Sequence, residues 1–555
     1  MTIRGMGTGG RLTMNNDPIN KSGMSRRRFL QRSLAAGGAA VLGGGRIRPY
    51  ALRDASSPRR RPNVVLIVTD DQNFNTIGAY GAEVLTPHID GLGGDGIRFT
   101  RAYTTSAVCV ASRYGCLTGR FPSRNRHPVF REAFPDGVQS VPEFNTYLEP
   151  EAINIARVLK RAGYATGVVG KWHLGRGFSE RMEERGLKPL PESSGYKSTW
   201  TRSGSAIDPR DAKINKLLEH NHEVLREEIR RCGFDYAESF YWTNPEGFRH
   251  WPLNFHNMEW VAQGALNFMD RNRDNPFFLY MNTTLHHIPH PQVSLLRGDS
   301  RMTPAGYLDR APDVMPPREG IVDRVEAAGF LPETAYCTWL DDGIGAVLNG
   351  LKTRDLESDT LVILFSDNGT PAKGTLYEGG VNVPCLFRWK EQIPPGQVCR
   401  GLAQNLDFAP TIFEACGVDI PSRVPLDGKS LLPMLTGRRT SIHRELFFEL
   451  GWTRAVCTSQ WKYLALRYPP SALEREKKRG RPNYHAASLE AHQHNVLLWH
   501  PAFWEPDQLY DLADDPREVV NLAADQEHKD VLEDLKERMG TWLKTFGNHP
   551  FGEFV

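Results

Sequence analysis

Asn63-Val-Val-Leu-Ile-Val-Thr-Asp-Asp71 is the stretch that decides how this chain is read. An unbroken apolar run of strand length offers no polar face. Such a strand must be covered on both sides, as the strands of parallel sheets are. Similar runs recur at Ala165–Val169, Phe277–Tyr280 and Leu361–Phe365. Between them, Ala152–Ala162, Trp260–Asp270 and Thr334–Lys352 carry apolar residues at the three- and four-residue spacing of amphipathic helices. Strands alternating with helices predict an α/β fold whose large, mostly parallel sheet is flanked by helices.

Each run ends in residues able to do chemistry. Thr69 leads into Asp70-Asp71, and Val169 into Gly170-Lys171-Trp172-His173. The strand at Phe277 leads into Asn282 and His286-His287-Ile288-Pro289-His290, and the strand at Leu361 into Ser366-Asp367-Asn368-Gly369. Parallel α/β sheets bind ligands at the carboxyl ends of their strands, so these four ends are expected to converge on one crevice. Three carboxylates crowded together raise one another's pKa values unless a cation joins them. Asp70, Asp71, Asp367 and Asn368 supply only oxygen donors, which points to Ca2+, with Mg2+ second, rather than zinc.

Further candidates surround that centre. Cys109-Val-Ala-Ser-Arg113 is followed by Leu117-Thr-Gly-Arg120, and a short helix is predicted over Ser112–Leu117, just beyond the cysteine. The N-terminus of a helix favours an anion, and Arg113 would add a fixed cationic fork. Lys171 and His173, two apart in an extended segment, would share a face, the first neutralising an oxyanion and the second moving a proton near neutral pH. Lys373, in Lys-Gly-Thr-Leu-Tyr-Glu-Gly-Gly380, follows the Asp367-Asn368 pair closely enough to serve the same anion. A histidine of the 286–290 run could protonate a leaving oxygen, and the residues alone leave open which one.

The ends of the chain read differently. Ser25-Arg-Arg-Arg-Phe-Leu-Gln31 precedes a short, weakly apolar run over residues 33–45, the pattern of an export signal too short to span a bilayer. Its arginines before Phe29-Leu30 look like a twin-arginine signal, so residues 1–61 are read as signal and linker. Residues 1–62 hold 13 Lys and Arg against 2 Asp and Glu, leaving 55 basic and 63 acidic residues beyond them, a net charge of −8. The overall +3 therefore belongs to the leader, and no basic face for nucleic acid is expected. No later segment is apolar enough to be read as transmembrane. The eight cysteines are scattered without zinc or CxxC spacing. After a catalytic domain over residues 62–436, the strand-like pieces Glu445–Leu450, Thr453–Leu466 and Asp507–Leu512 and a helix over His528–Phe546 predict a smaller α+β domain, antiparallel strands plus one helix, over residues 437–555. The polar segment Gly177–Arg231 is read as loops and a surface helix.

Taken together and in this order, these motifs resemble the type I, formylglycine-dependent sulfatases of the alkaline phosphatase superfamily. The resemblance includes Gly170-Lys-Trp-His-Leu-Gly175 and, near the end, Leu509-Tyr-Asp-Leu-Ala-Asp-Asp-Pro-Arg-Glu518 with Asn521-Leu522. It implies an exported sulfatase, periplasmic or secreted and bacterial, acting on a sulfated small molecule or oligosaccharide. Cys109 would be converted to formylglycine (3-oxoalanine) by a formylglycine-generating enzyme, and export would use the twin-arginine translocase. Asp70, Asp71, Asp367, Asn368 and the modified Cys109 would hold Ca2+. Arg113, Lys171, His173, His287 and Lys373 would line the sulfate pocket, with Asp367 assisting the attack. His287 or Lys373 would protonate the leaving oxygen, and His173 would help expel sulfate. The chain departs from the family at Ala111, where proline is usual, at Asn382, where arginine is common, and in the short span from Asp367 to Lys373. A phosphodiesterase or phosphonate monoester hydrolase of the same superfamily is the alternative enzyme, and an inactive sulfated-glycan binding protein is the alternative from another class.

Overall fold

Strands Gln397–Cys399, Ile97–Phe99, Cys385–Arg388, Thr360–Ser366, Asn63–Thr69, Phe277–Asn282, Ala165–Lys171 and Tyr236–Tyr241 lie side by side, in that order, in one sheet. The computed structural model describes residues 61–176, 194–197, 207–245, 253–289, 298–420, 425–479, 496–547 and 551. Only Cys385–Arg388 opposes the common direction of the other seven strands. The four predicted runs are adjacent strands, the fourth to seventh in this order, and all four point the same way.

Strand Asn63–Thr69 shows why the run is apolar throughout. Val64, Leu66 and Val68 enter one core, with Leu159 of helix Ile155–Arg161 and Phe413 of helix Phe408–Cys416. Val65 and Ile67 enter the core on the other face, with Val261 of helix Met258–Arg271 and Ile344 of helix Ala335–Thr353. Each fully buried aliphatic side chain contributes about 1.5–3 kcal/mol, so a polar residue on either face would be costly.

Register then aligns the functional ends. Val68 pairs with Asn282 and Phe365, and Gly170 also pairs with Asn282. Gly170 has φ +77, and a Cβ there would lie 1.6 Å from the Asn282 carbonyl oxygen. Only glycine lets the strand that delivers Lys171 pass so close to its neighbour.

The C-terminal strands Glu445–Leu450, Thr453–Thr458, Trp461–Leu466 and Asp507–Asp511 form an antiparallel sheet in that order. Helix Lys529–Lys544 packs on it through Leu532, Leu535 and Met539 against Phe447, Val456 and Leu509. The single piece expected over Thr453–Leu466 is a hairpin, because Ser459-Gln460 turns the chain and Thr458 Oγ1 accepts from the Trp461 amide. Residues Arg60–Val555 form one compact unit. Within it the Tyr103 and Phe448 rings meet at 5.6 Å, and the Glu449 amide donates to the Thr105 carbonyl.

Among the described residues no helix is long and apolar enough to cross a membrane. The expected twin-arginine segment, His290, and much of the polar segment after Gly177 lie outside the described residues, although helix Ala212–Arg231 supplies the surface helix expected there.

Candidate active site

Cys109 opens helix Cys109–Thr118 rather than standing just before a helix that begins at Ser112. The earlier start has a local cause: Val108 is extended and its carbonyl accepts from the Ser112 amide, closing the first turn. The sequence carries no signal for it, since position 108 lacks a capping side chain and none caps the helix. The Ser112 hydroxyl accepts from Thr104 Oγ1 at 2.7 Å, and Asn405 Nδ2 donates to the Ser112 carbonyl at 2.9 Å, so the turn bearing the cysteine is anchored from below.

Asp70, Asp71, Cys109 and Asp367 are all buried, and one ligand atom from each lies within 4.8 Å of the others. Cys109 Sγ is 3.6 Å from Asp70 Oδ1 and 3.5 Å from Asn368 Oδ1. Asn368 Nδ2 donates to Asp71 Oδ1 at 2.6 Å, and the Asp71 amide donates to Asp367 Oδ1 at 3.2 Å. Two ammonium groups meet the same cluster. Lys171 Nζ donates to Asp70 Oδ2 at 2.6 Å, and Lys373 Nζ to both Asp71 oxygens at 2.6 and 2.8 Å. Arg113 places Nε 3.0 Å and Nη2 2.8 Å from Asp367 Oδ2, and donates through Nη1 to Asn282 Oδ1 at 2.7 Å. Its fork therefore grips a carboxylate and an amide. Asn282 was visible in the sequence only as a strand end, and Asn405 carried no signal, because both act through long-range contacts.

The histidines separate clearly. His287 Nε2 lies 3.9 Å from Asp71 Oδ2, whereas the His286 ring turns to Tyr336, edge-on at 4.7 Å. His173 has φ 53, so the alternation expected to place it on the face of Lys171 is broken. It is nonetheless electrostatically part of the site. Burial first, then the charges of Lys171, Arg113, His287 and Lys373, push its pKa well below the usual imidazole value.

Neighbouring aspartates diverge under this field. Burial, then Asp367, raises Asp70 to about 8 despite Lys171. Asp71 is equally buried, yet the Lys373 ammonium, and His287 after it, hold it below the ordinary carboxylate range. Burial, then Asp367, drives the Cys109 thiol up, so an unmodified Cys109 stays protonated at neutral pH. Burial and Lys373 push His287 well down. The donor set suits a hard divalent cation, because it offers carboxylate and amide oxygens.

A sulfatase family model matches residues 62–418. The N-acetylgalactosamine-6-O-sulfatase of Bacteroides thetaiotaomicron is 27% identical, over 87% of this chain and 94% of its own. Human arylsulfatase A is 30% identical, over 87% of each chain. A solved structure in complex with its substrate D-glucosamine-2-N,6-O-disulfate has the same fold, with a TM-score of 0.56 and 17% identity over 89% of this chain and 100% of that one.

Proposed function

The chain belongs to the sulfatase family of sulfuric ester hydrolases, and we propose that it removes sulfate from a carbohydrate with a formylglycine made from Cys109 beside a calcium ion. The observation that carries this reading is the buried meeting of Asp70, Asp71, Cys109 and Asp367 with the Lys171 and Lys373 ammonium groups bonded to it. Such a site can hold a divalent cation and a sulfate group at one point. The carbohydrate substrate is favoured by the 6-O-sulfatase relative, which this chain matches along nearly its whole length.

In this reading Asp70, Asp71, Asp367 and Asn368 hold Ca2+, which supplies positive charge to the sulfate oxygens and to the nucleophile. A formylglycine at Cys109 would supply, as its hydrate, a hydroxyl to attack sulfur and a second hydroxyl whose deprotonation would break the C–O bond to sulfate and restore the aldehyde. A plain thiol at Cys109 lacks the second hydroxyl and, with its pKa raised by burial, lacks the thiolate as well. Lys171 and Lys373 neutralise non-bridging sulfate oxygens. Arg113 keeps the Asp367 carboxylate directed at Cys109. His287 donates through Nδ1 to the Ile288 carbonyl at 3.2 Å and turns Nε2 to the departing oxygen. It gives that oxygen a proton as the imidazolium, a form that the negative charge of a bound sulfate favours by offsetting Lys373. His173 takes part in the release of sulfate. Arg26-Arg-Arg-Phe-Leu30 directs export of the folded enzyme.

The test combines chemistry with rates. Mass spectrometry of the peptide spanning residues 102–113 should find the aldehyde at Cys109, and the same sample should release sulfate from sulfated saccharides. Active enzyme carrying only unmodified cysteine would overturn the mechanism. A phosphodiester turned over faster than every sulfate ester would move the site to the phosphonate hydrolase class.

A further inference from the structure

His256 grips the loop that carries His287. It lies directly before Asn257, whose side chain accepts from the Trp260 amide and starts helix Met258–Arg271, and it is fully buried. His256 Nε2 lies 2.9 Å from the His287 carbonyl oxygen and 3.0 Å from that of Pro289. Carbonyls only accept, so Nε2 carries the proton and shares it between the two. Nδ1 is then an acceptor and takes the Thr284 hydroxyl at 2.7 Å. Burial, which pushes this ring down to about 4, agrees with a neutral tautomer.

The loop is fastened on its other side as well. The Thr283 amide donates to the Val68 carbonyl, the Asp70 amide to that of Leu285, and the His287 amide to that of Thr284, at 2.9, 2.9 and 3.1 Å. Behind His256, Trp339 meets its ring edge-on at 6.4 Å and donates Nε1 to Glu259, which Arg318 holds through two bonds of 2.8 and 2.7 Å. The imidazole of His256 is thus wedged between a rigid helix start and the His287–Pro289 backbone.

We propose that His256 is a positioning residue for His287, setting through the two carbonyls where the His287 imidazole meets the departing oxygen. The inference rests on the reading of His287 as the proton donor to that oxygen. A donor matters most when the leaving group is poor, so misplacing it should penalise sugar sulfates selectively.

The experiment compares a sugar sulfate with nitrophenyl sulfate on the full-length modified enzyme. His256→Phe keeps a ring but loses all three hydrogen bonds. It should lower kcat on the sugar sulfate about tenfold or more, lower it much less on nitrophenyl sulfate, and leave KM nearly unchanged. His256→Gln, which keeps a donor, should recover part of the loss. Thr284→Val removes only a hydroxyl and should shift the ratio in the same direction, giving the same readout if His256→Phe does not fold. In a His287→Ala background, His256→Phe should no longer change the ratio. Equal loss on both substrates, or a further change of the ratio in that background, overturns the positioning role. His287→Ala alone isolates the underlying reading: equal loss on both substrates there means that His287 is no proton donor. Selective loss there combined with unselective loss for His256→Phe leaves that reading standing and removes His256 from it.

Discussion

Asp70 and Asp71 adjoin in the chain yet sit at opposite ends of the carboxylate range. Asp70 is raised to about 8 by burial and Asp367, whereas Lys373 bonds both oxygens of Asp71 and outweighs its burial. If Asp70 holds calcium as proposed, the metal site is linked to a proton. Without metal, the folded protein holds a proton on Asp70 that the unfolded chain, with a pKa near 3.8, has released. Folded-state stability from this group is therefore present at low pH and is lost as pH rises from about 4 to about 8. Calcium needs the carboxylate, so it must displace that proton, and affinity should rise with pH up to about 8. Calorimetry in buffers of different ionisation enthalpy should find proton release on calcium uptake at pH 7. Uptake with no proton released, and an affinity flat from pH 6 to 8, would refute the assignment. Asp71→Ala should abolish both calcium binding and activity, since a charged ligand and the partner of Lys373 are lost together.

At the scale of elements, the site depends on how closely two strands pass. Strands Ala165–Lys171 and Phe277–Asn282 bring Lys171 and the His287 loop to one level only because Gly170 has no side chain. Gly170→Ala would set a Cβ against the Asn282 carbonyl and force an alanine to φ +77. The strands must then separate. The expected cost is about 3 kcal/mol or more in unfolding free energy, with a fall in kcat, because Asn282 bonds Arg113 and Lys171 bonds Asp70. Chemical denaturation and sulfate-release kinetics on the same sample check both. A variant as stable and as active as the parent would mean that the approach is not a constraint.

At the scale of the whole molecule, the antiparallel sheet is joined to the catalytic segment by a buried charge cluster. Lys462, on strand Trp461–Leu466, meets Glu378 at 3.1 Å and Glu518 at 3.0 Å with its side chain fully buried. Glu378 opens the short helix Glu378–Val381 that comes after Lys373 in the chain, and Glu518 accepts from the Glu378 amide at 2.5 Å. Removing the cation would leave the fully buried Glu518 carboxylate unpaired beside the half-buried Glu378. Lys462→Met should therefore cost about 3–5 kcal/mol, seen as a lower Tm, and reduced activity should accompany it if the cluster steadies Lys373. A melting point unchanged by the substitution would show that the cluster does not join the two parts.

Periodicity, and the polar residues that close each strand, are properties the amino-acid sequence carries unaided. The apolar run Val64–Val68 required cover on both faces, and the polar residues at four such ends required a shared crevice. Those signals are local, so the parallel sheet, the antiparallel C-terminal strands and the meeting of Asp70, Asp71, Asp367, Asn368 and Lys171 were legible in the chain, while the place of Cys109 among them was what the family resemblance implied. Which groups bond to which was settled by tertiary structure alone. That Arg113 grips Asp367 and Asn282, that His287 meets Asp71 while His286 turns to Tyr336, and that His256 clasps the loop carrying His287 depend on approach across the fold, 31 residues apart in the last case and 254 for Arg113 and Asp367. Helix Cys109–Thr118 likewise begins where a backbone bond from Ser112 to Val108 closes, which no side chain at its start announces. Hydrogen bonds between distant residues leave no period in a sequence, and only folding brings their partners within reach.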